Sequence, residues 1–447
     1  MALLGAVILV LFLNVVLAQT NGHSTSRALE GDQVLRLHPG TPDAVAMLDS
    51  LVYMPGFQLD FWKPPSHVNQ SVDVHVPRDN LPAVLDLLQQ HSIPYHTMIG
   101  NVRQAVEKHM QDNHKARART AGRPARVNDF DFSVYHEWNE IDDFITDVQQ
   151  TYPQIASLSS EAATFEGRSI KTLKLGKPST SGETKPAIWI DAAIHCREWI
   201  STATVLYAID QFTRQYGSDP TVTRLLDELD WYFTPVFNID GYIYTWAAPE
   251  NRLWRKNRSA QPGPCVGVDL NRNWDDHFAE TGASPDPCSI IYHGMAPFSE
   301  PETRGISDFV LNHPEIKVYL AMHSYSQLWI SPWGYDYARP PHYHLQNAMA
   351  LAAESASRAV HGVQYRVGRS IEILYAVSGG ARDWAYDKAG VTYSYTVELR
   401  DTGRYGFLLP ADQIIPTAEE TFPAYLTWAS GSWIIPMIIH SFIISYM

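Results

Sequence analysis

The sequence predicts an α/β protein in which a mixed, mostly parallel, twisted sheet carries helices on both faces, preceded by a small ferredoxin-like α+β module. Three observations predict it. A length of 447 residues exceeds what one hydrophobic core usually fills, so a large domain plus a smaller one is expected. Between about residues 32 and 100 the periodicity reads strand, helix, strand, strand, helix, strand, the order of a ferredoxin-like unit. Beyond Phe130, apolar runs alternate with helical stretches, the pattern of a largely buried sheet.

Taken in order, residues 1–18 hold an apolar stretch that ends in Val16-Leu17-Ala18, the small-residue signature of a cleaved signal peptide. No Lys or Arg precedes that stretch, so an uncleaved anchor is the alternative. In the small module, residues 33–37, 58–61 and 71–76 alternate, 95–98 is short and extended, and 42–54 and 81–90 have helical spacing. A helical stretch over 102–111 follows. From His114 to Arg126 the chain is basic and lacks apolar periodicity, which reads as a solvated linker and as an activation hinge open to trypsin-like proteases. In the large domain four runs stand out, at 187–192, 231–237, 318–322 and 392–397. Each ends at a polar residue, and in open α/β sheets ligands bind beyond the carboxyl ends of the strands. The expected organisation is a signal peptide at 1–18, a prodomain with linker at 19–126, a catalytic domain at 127–432 and an apolar tail at 433–447.

Composition narrows the class. With 45% hydrophobic and 18% charged residues the chain is an ordinary globular protein. A net charge of −14 would repel phosphates and argues against nucleic acid as a partner. Of three cysteines, two should pair in an oxidising lumen; Cys265 and Cys288, which bracket a Gly/Pro/Asn-rich stretch, are the expected bridge, leaving Cys196 free. Asn69-Gln70-Ser71 and Asn257-Arg258-Ser259 are formal glycosylation acceptors.

The chemistry concentrates at the strand ends. After the first run comes His195-Cys196-Arg197-Glu198, a His and a Glu three positions apart. After the third comes His323. Two His and one Glu are the open zinc set of a hydrolase, three protein ligands with water in the fourth position. Asp269 is suited to accept the outer N–H of a ligand His. Glu398 ends the fourth, mostly apolar run; it reads either as a buried ion-pair partner of Arg400 or as the general base. Arg255 and the Asn271-Arg272 pair place cations and an amide among aromatics. A guanidinium can hold a carboxylate through two parallel hydrogen bonds, or stabilise an oxyanion.

In order along the chain, His195-x-x-Glu198, Arg255, Asn271-Arg272, His323-Ser324-Tyr325, Tyr375 and the run from Glu398 to Phe407 resemble the zinc metallocarboxypeptidase family of the pancreatic A/B type over almost the whole chain. The resemblance implies one zinc ion held by His195, Glu198 and His323, with Glu398 as base and Arg255 at the oxyanion. It implies that Asn271, Arg272 and Tyr375 grip the C-terminal carboxylate of a peptide or protein, and that Arg197 and Tyr325 line neighbouring subsites. It further implies an inhibitory prodomain removed by a trypsin-like protease, a Cys265–Cys288 disulfide, and a monomer. Cys196 departs from the family pattern; a thiolate beside zinc would be a competing ligand.

Two features bear on what kind of member this is. Arg382 falls where the family places the floor of its specificity pocket, which implies selection of C-terminal Glu or Asp; the alternatives are that Arg382 turns outward or pairs with Asp383. The tail after Ala429-Ser430-Gly431-Ser432 is short for a transmembrane helix and suits a removable GPI signal, with a packed final helix as the other reading. The expected location is the secretory pathway and cell exterior, with GPI attachment to the membrane. Three rival functions are a catalytically inactive binder of peptide C-termini, a carboxypeptidase of hydrophobic preference, and a zinc endopeptidase; the carboxylate-gripping set argues against the last.

Overall fold

The computed structural model describes residues 29–54, 57–118, 126–180 and 182–427. The expected signal peptide, the tail with Ser430 to Ser432, and residues 119–125 of the basic run lie outside the described residues.

The small module is a four-stranded antiparallel sheet of β1 (Gln33–Leu37), β2 (Asp60–Lys63), β3 (Val72–Val76) and β4 (Tyr95–Ile99), in the order β2-β3-β1-β4. Helices Pro42–Val52 and Leu81–Gln90 complete the expected βαββαβ unit. The first starts where it does because Thr41 Oγ1 accepts the Ala44 N–H and proline occupies the first turn, a position whose missing N–H has no intrahelical partner to lose. Strand side chains alternate between faces. Leu35, Leu37, Val72, Val74 and Val76 point to one side and pack with Leu48, Leu51, Val84 and Leu88. The opposite side is not solvated: Val34 and Trp62 join Leu253, Tyr325, Phe407 and Leu408 of the large domain.

The expected helix over 102–111 runs instead from Val102 to Ala118. Val102, Val106, His109 and Asn113, at helical spacing, are buried, and this stripe holds the helix on the large domain two turns beyond the expected end. Arg117 pairs with Glu137 and Glu140, so the basic run is helical and docked as far as residue 118.

The large domain contains β5 (Ala156–Ala163), β6 (Ser169–Leu175), β7 (Ala187–Ala192), β8 (Asp230–Thr234), β9 (Ile316–Ser324), β10 (Leu328–Ser331), β11 (Arg366–Arg369) and β12 (Tyr393–Leu399). Their order is β11-β10-β12-β9-β7-β8-β6-β5. The centre, β12-β9-β7-β8, is wholly parallel and consists of the four runs singled out in the sequence. The β10–β11 pair is also parallel, while β10–β12, β8–β6 and β6–β5 are antiparallel. Both faces are covered, which is why β7 and β8 are buried at every position. Cys265 and Cys288 form the expected disulfide. Among the described residues no helix is long and apolar enough to cross a membrane.

Candidate metal centre and substrate cleft

The carboxyl ends of β7, β9 and β12 converge. Pairing of β7 with β9 brings the turn after Ala192, with His195 and Glu198, beside the end of β9, and pairing of β9 with β12 sets Glu398 directly across from His323. His195 Nδ1 lies 2.9 Å from Glu198 Oε1, His323 Nδ1 3.1 Å from Glu198 Oε2, and the two Nδ1 atoms 3.1 Å from each other. All three residues are buried, and their ligating atoms lie within 4.8 Å of one another.

The donor set fits a cation. His195 Nε2 donates to Asp269 Oδ1 at 3.2 Å, so in the neutral ring Nδ1 carries a lone pair. Burial and the nearby Arg255 hold His195 below its ordinary value, which keeps it neutral. That lone pair faces a carboxylate oxygen and a second Nδ1, an arrangement that repels unless positive charge sits among them. Burial would raise Glu198, but His195 and His323 beside it hold it lowered.

Asp269 is the hub behind the ligands. Besides His195 it accepts Arg255 Nε and Nη2 on Oδ2 at 3.1 and 2.9 Å, and the Asn271 N–H on Oδ1 at 3.0 Å. Although it is buried, Arg255, Arg272 and His195 hold it well below the usual carboxylate range. It therefore fixes both a ligand tautomer and the cation proposed for the oxyanion.

Glu398 is not the partner of Arg400, whose guanidinium is taken by Glu420 and Gln413. Its Oε2 is buried without a hydrogen-bond partner. Burial pushes its pKa up to about 8, with Glu198 adding to the effect and His323, Arg255 and Arg382 opposing it. Cys196 is buried and points away from the ligands, its Sγ donating to Trp254 O at 3.0 Å. Burial raises the thiol far above its ordinary value. The competing-ligand expectation therefore fails, because the thiolate form is suppressed and its lone pairs face another way.

Arg272 donates Nε to Gly282 O and Nη1 to Asn271 O, and Asn271 Oδ1 accepts the Ala381 N–H, which ties the pair to the helix Ala381–Asp387. Arg272 and Tyr375 line a cavity of about 470 Å³ whose other wall is the small module, including Tyr53, Pro64 and His67. Arg382 is buried and donates Nε and Nη2 to Asp383 Oδ1 and Oδ2 at 2.9 and 3.0 Å. Asp383 Oδ2 also accepts the Gly334 N–H. The Arg382–Asp383 pairing thus exists, so the charge is not bare.

Two acids of the small module were not foreseen. Asp60 binds Arg197 through both Nη atoms. Asp73, held by Arg36 at 2.6 Å on each oxygen, accepts the Tyr325 hydroxyl at 2.7 Å. Both of the subsite residues inferred by resemblance are therefore occupied by carboxylates of the module. The available signal was an acid on each strand pointing away from the module's own apolar face, as in Val72-Asp73-Val74, where solvent was the default reading.

Comparison with known proteins agrees with this geometry. Residues 141–424 match the family described as zinc carboxypeptidase, and residues 35–109 match the carboxypeptidase activation peptide. The chain is 42% identical to carboxypeptidase A1 of Bos taurus over 89% of its own length and 93% of the relative's. It is 40% identical to carboxypeptidase B of Bos taurus, over 92% and 95%. The crystal structure of carboxypeptidase A from Helicoverpa armigera superposes with a TM-score of 0.82 at 28% identity, covering 92% of this chain and 99% of that one.

Proposed function

This chain belongs to the zinc carboxypeptidase family and is a metallocarboxypeptidase acting on peptide bonds, and from that premise we propose that it is made as a secreted zymogen and removes single C-terminal residues, with a preference for Glu and Asp. The observation that carries the reading is the buried convergence of His195, Glu198 and His323 opposite an unpaired Glu398.

His195, Glu198 and His323 hold the zinc, which when bound supplies Lewis acidity toward a carbonyl oxygen and an acidified water. Glu398 takes the proton of the attacking water; its raised affinity for a proton suits it to hold that proton and return it to the leaving amine. Arg255, steadied by Asp269, compensates the developing oxyanion. Asn271, Arg272 and Tyr375 bind the free carboxylate and so restrict cleavage to the last bond. Asp60 and Asp73 occupy Arg197 and Tyr325 as a substrate's own groups would, which supports an inhibitory role for the module. The disulfide supports an oxidising compartment. Arg382 and the apolar tail together support the further reading of a member of the carboxypeptidase O kind, and GPI attachment belongs to the same reading.

Arg382 supports acidic specificity because Asp383 takes only its Nε and Nη2, which leaves Nη1 outside that pair for a substrate carboxylate. The Asp383 pair favours a second reading, a hydrophobic preference, since the pocket's net charge is offset. Hydrolysis of peptides ending in Glu, Phe and Lys by the trypsin-treated protein, with and without a zinc chelator, decides between them. The acidic reading expects Glu first and loss of all activity on chelation. A preference for Phe or Lys would end the role given to Arg382, and chelator-resistant activity would end the zinc mechanism.

A further inference from the structure

The chain carries two Asn-x-Ser sequences, Asn69-Gln70-Ser71 and Asn257-Arg258-Ser259, and the fold treats them oppositely. Asn257 is fully buried. Its Nδ2 donates to Glu300 Oε2 at 2.7 Å and Glu302 Oε2 at 3.3 Å, and its Oδ1 accepts the Val268 N–H at 2.8 Å and the Ser259 hydroxyl at 3.0 Å. A sugar on that nitrogen would take the N–H that serves one of two buried carboxyls and require space that a packed interior lacks. A chain modified there could not reach this fold.

Asn69 has none of these constraints. It sits exposed at the tip of the turn between β2 and β3, with a φ of +65°, a left-handed conformation that Asn tolerates better than most residues. Its backbone N–H is bonded to Pro39 O at 2.9 Å, so the turn is fixed while the side chain projects outward. Two residues earlier, His67 Nε2 donates to Ile371 O at 3.1 Å, which fastens the same loop to the segment that leads into Tyr375.

We propose that Asn69 is an N-glycan acceptor and Asn257 is not, so that the sugar belongs to the activation segment and departs with it. The proposal rests on the secretory reading above. In the transfer, Asn69 Nδ2 attacks the anomeric carbon of a lipid pyrophosphate-linked oligosaccharide. One C–N bond forms, the sugar's C–O bond to pyrophosphate breaks, and the amide proton leaves with the lipid pyrophosphate. The product is a zymogen with a bulky hydrophilic group on the loop that covers the carboxylate-binding cavity, and a catalytic domain without N-linked sugar at either position.

The test is expression of the full chain in animal cells, followed by peptide N-glycosidase treatment of the protein recovered from the medium and the cell surface before and after trypsin. The zymogen should show one downward mobility step, found afterwards in the pro-fragment and not in the catalytic fragment. Ser71→Ala should abolish the step, Ser71→Thr should retain it, and Ser259→Ala should leave it unchanged. Should Ser71→Ala be retained in the cell as misfolded, the fragment carrying the step in the wild type still decides the matter. A secreted chain with no step, a step in the catalytic fragment, or a step that survives Ser71→Ala overturns the proposal. A chain that never enters the lumen fails the secretory reading instead, and this one with it.

Discussion

Glu398 and Cys196 show how far one side chain's surroundings set its chemistry. Glu398 ends an apolar strand with one oxygen buried and unpaired, and burial raises its affinity for a proton, so that in its ionised form it is a stronger base than an exposed carboxylate. Glu398→Gln should therefore lower the rate by roughly 10²–10⁴, the usual contribution of a general base, while zinc stoichiometry by elemental analysis stays at that of the wild type. Glu198→Gln should instead lose the metal. Equal zinc loss in both variants would mean that Glu398 is a ligand and not a base. Cys196, with its thiol buried and raised, should resist alkylation in the native protein and react only on unfolding; rapid native labelling would contradict the placement found here. The ligands and Glu398 were legible because each lies at or just beyond the end of a recognisable strand, and Asp269 because its residue type suits the outer N–H of a ligand His. Side-chain direction was not legible. Arg382 turning to Asp383, and Cys196 turning to Trp254 O, are decided by packing among residues distant in sequence.

Strands and helices carried the larger share of what the sequence disclosed. The four apolar runs became the parallel centre of the sheet with ends shifted by three residues at most, since a strand buried on both faces leaves an unbroken apolar record. The helix Val102–Ala118 was cut short because its last two turns are rich in polar and basic residues, and only tertiary partners, Asn113 with Tyr135 and Arg117 with Glu137 and Glu140, keep it helical. The same blindness hid Asp60 and Asp73: a period-2 pattern tells which side chains leave the module's core and not what they meet. Asp60→Asn tests that contact. Removing one partner of a buried pair costs about 3–5 kcal/mol, but Asp60 is partly exposed and retains a hydrogen-bonding amide, so a shift nearer 1–2 kcal/mol is expected. Uncleaved Asp60→Asn zymogen should then turn over a small peptide roughly tenfold faster than uncleaved wild type, and both should be equal after trypsin, when the altered residue has left. Unchanged zymogen activity would show that the cleft is shielded by bulk and not by this pair.

Across the whole molecule, one of the contacts between the two units is a helix that has a titratable group at its centre. His109 is buried between the large domain's Tyr135 and Trp199 rings, its Nε2 donates to Leu409 O at 3.1 Å, and Nδ1 has no partner. Burial pushes its pKa down to about 3, helped by Arg252, against weaker opposition from the Leu409 hydrogen bond and Asp112. A folded-state value below the ordinary 6.5 means that the undocked form binds the proton first. The interface is thus at full strength above about pH 6.5 and weakens as pH falls toward 3. At pH 5 the loss is about 2 kcal/mol, from roughly 1.4 kcal/mol per unit below 6.5. Other buried groups titrate in the same range with the opposite sign: burial raises Glu302 and Asp276 to about 7, so acid relieves the cost of keeping them charged. The wild-type curve alone is therefore a sum, and the informative quantity is a difference. His109→Gln keeps a donor for Leu409 O and removes the titration. Between pH 7.5 and 5, thermal unfolding of the variant zymogen should shift less toward lower temperature than that of the wild type, by the equivalent of about 2 kcal/mol. Parallel curves for the two proteins would show that acid acts on the zymogen somewhere other than this helix.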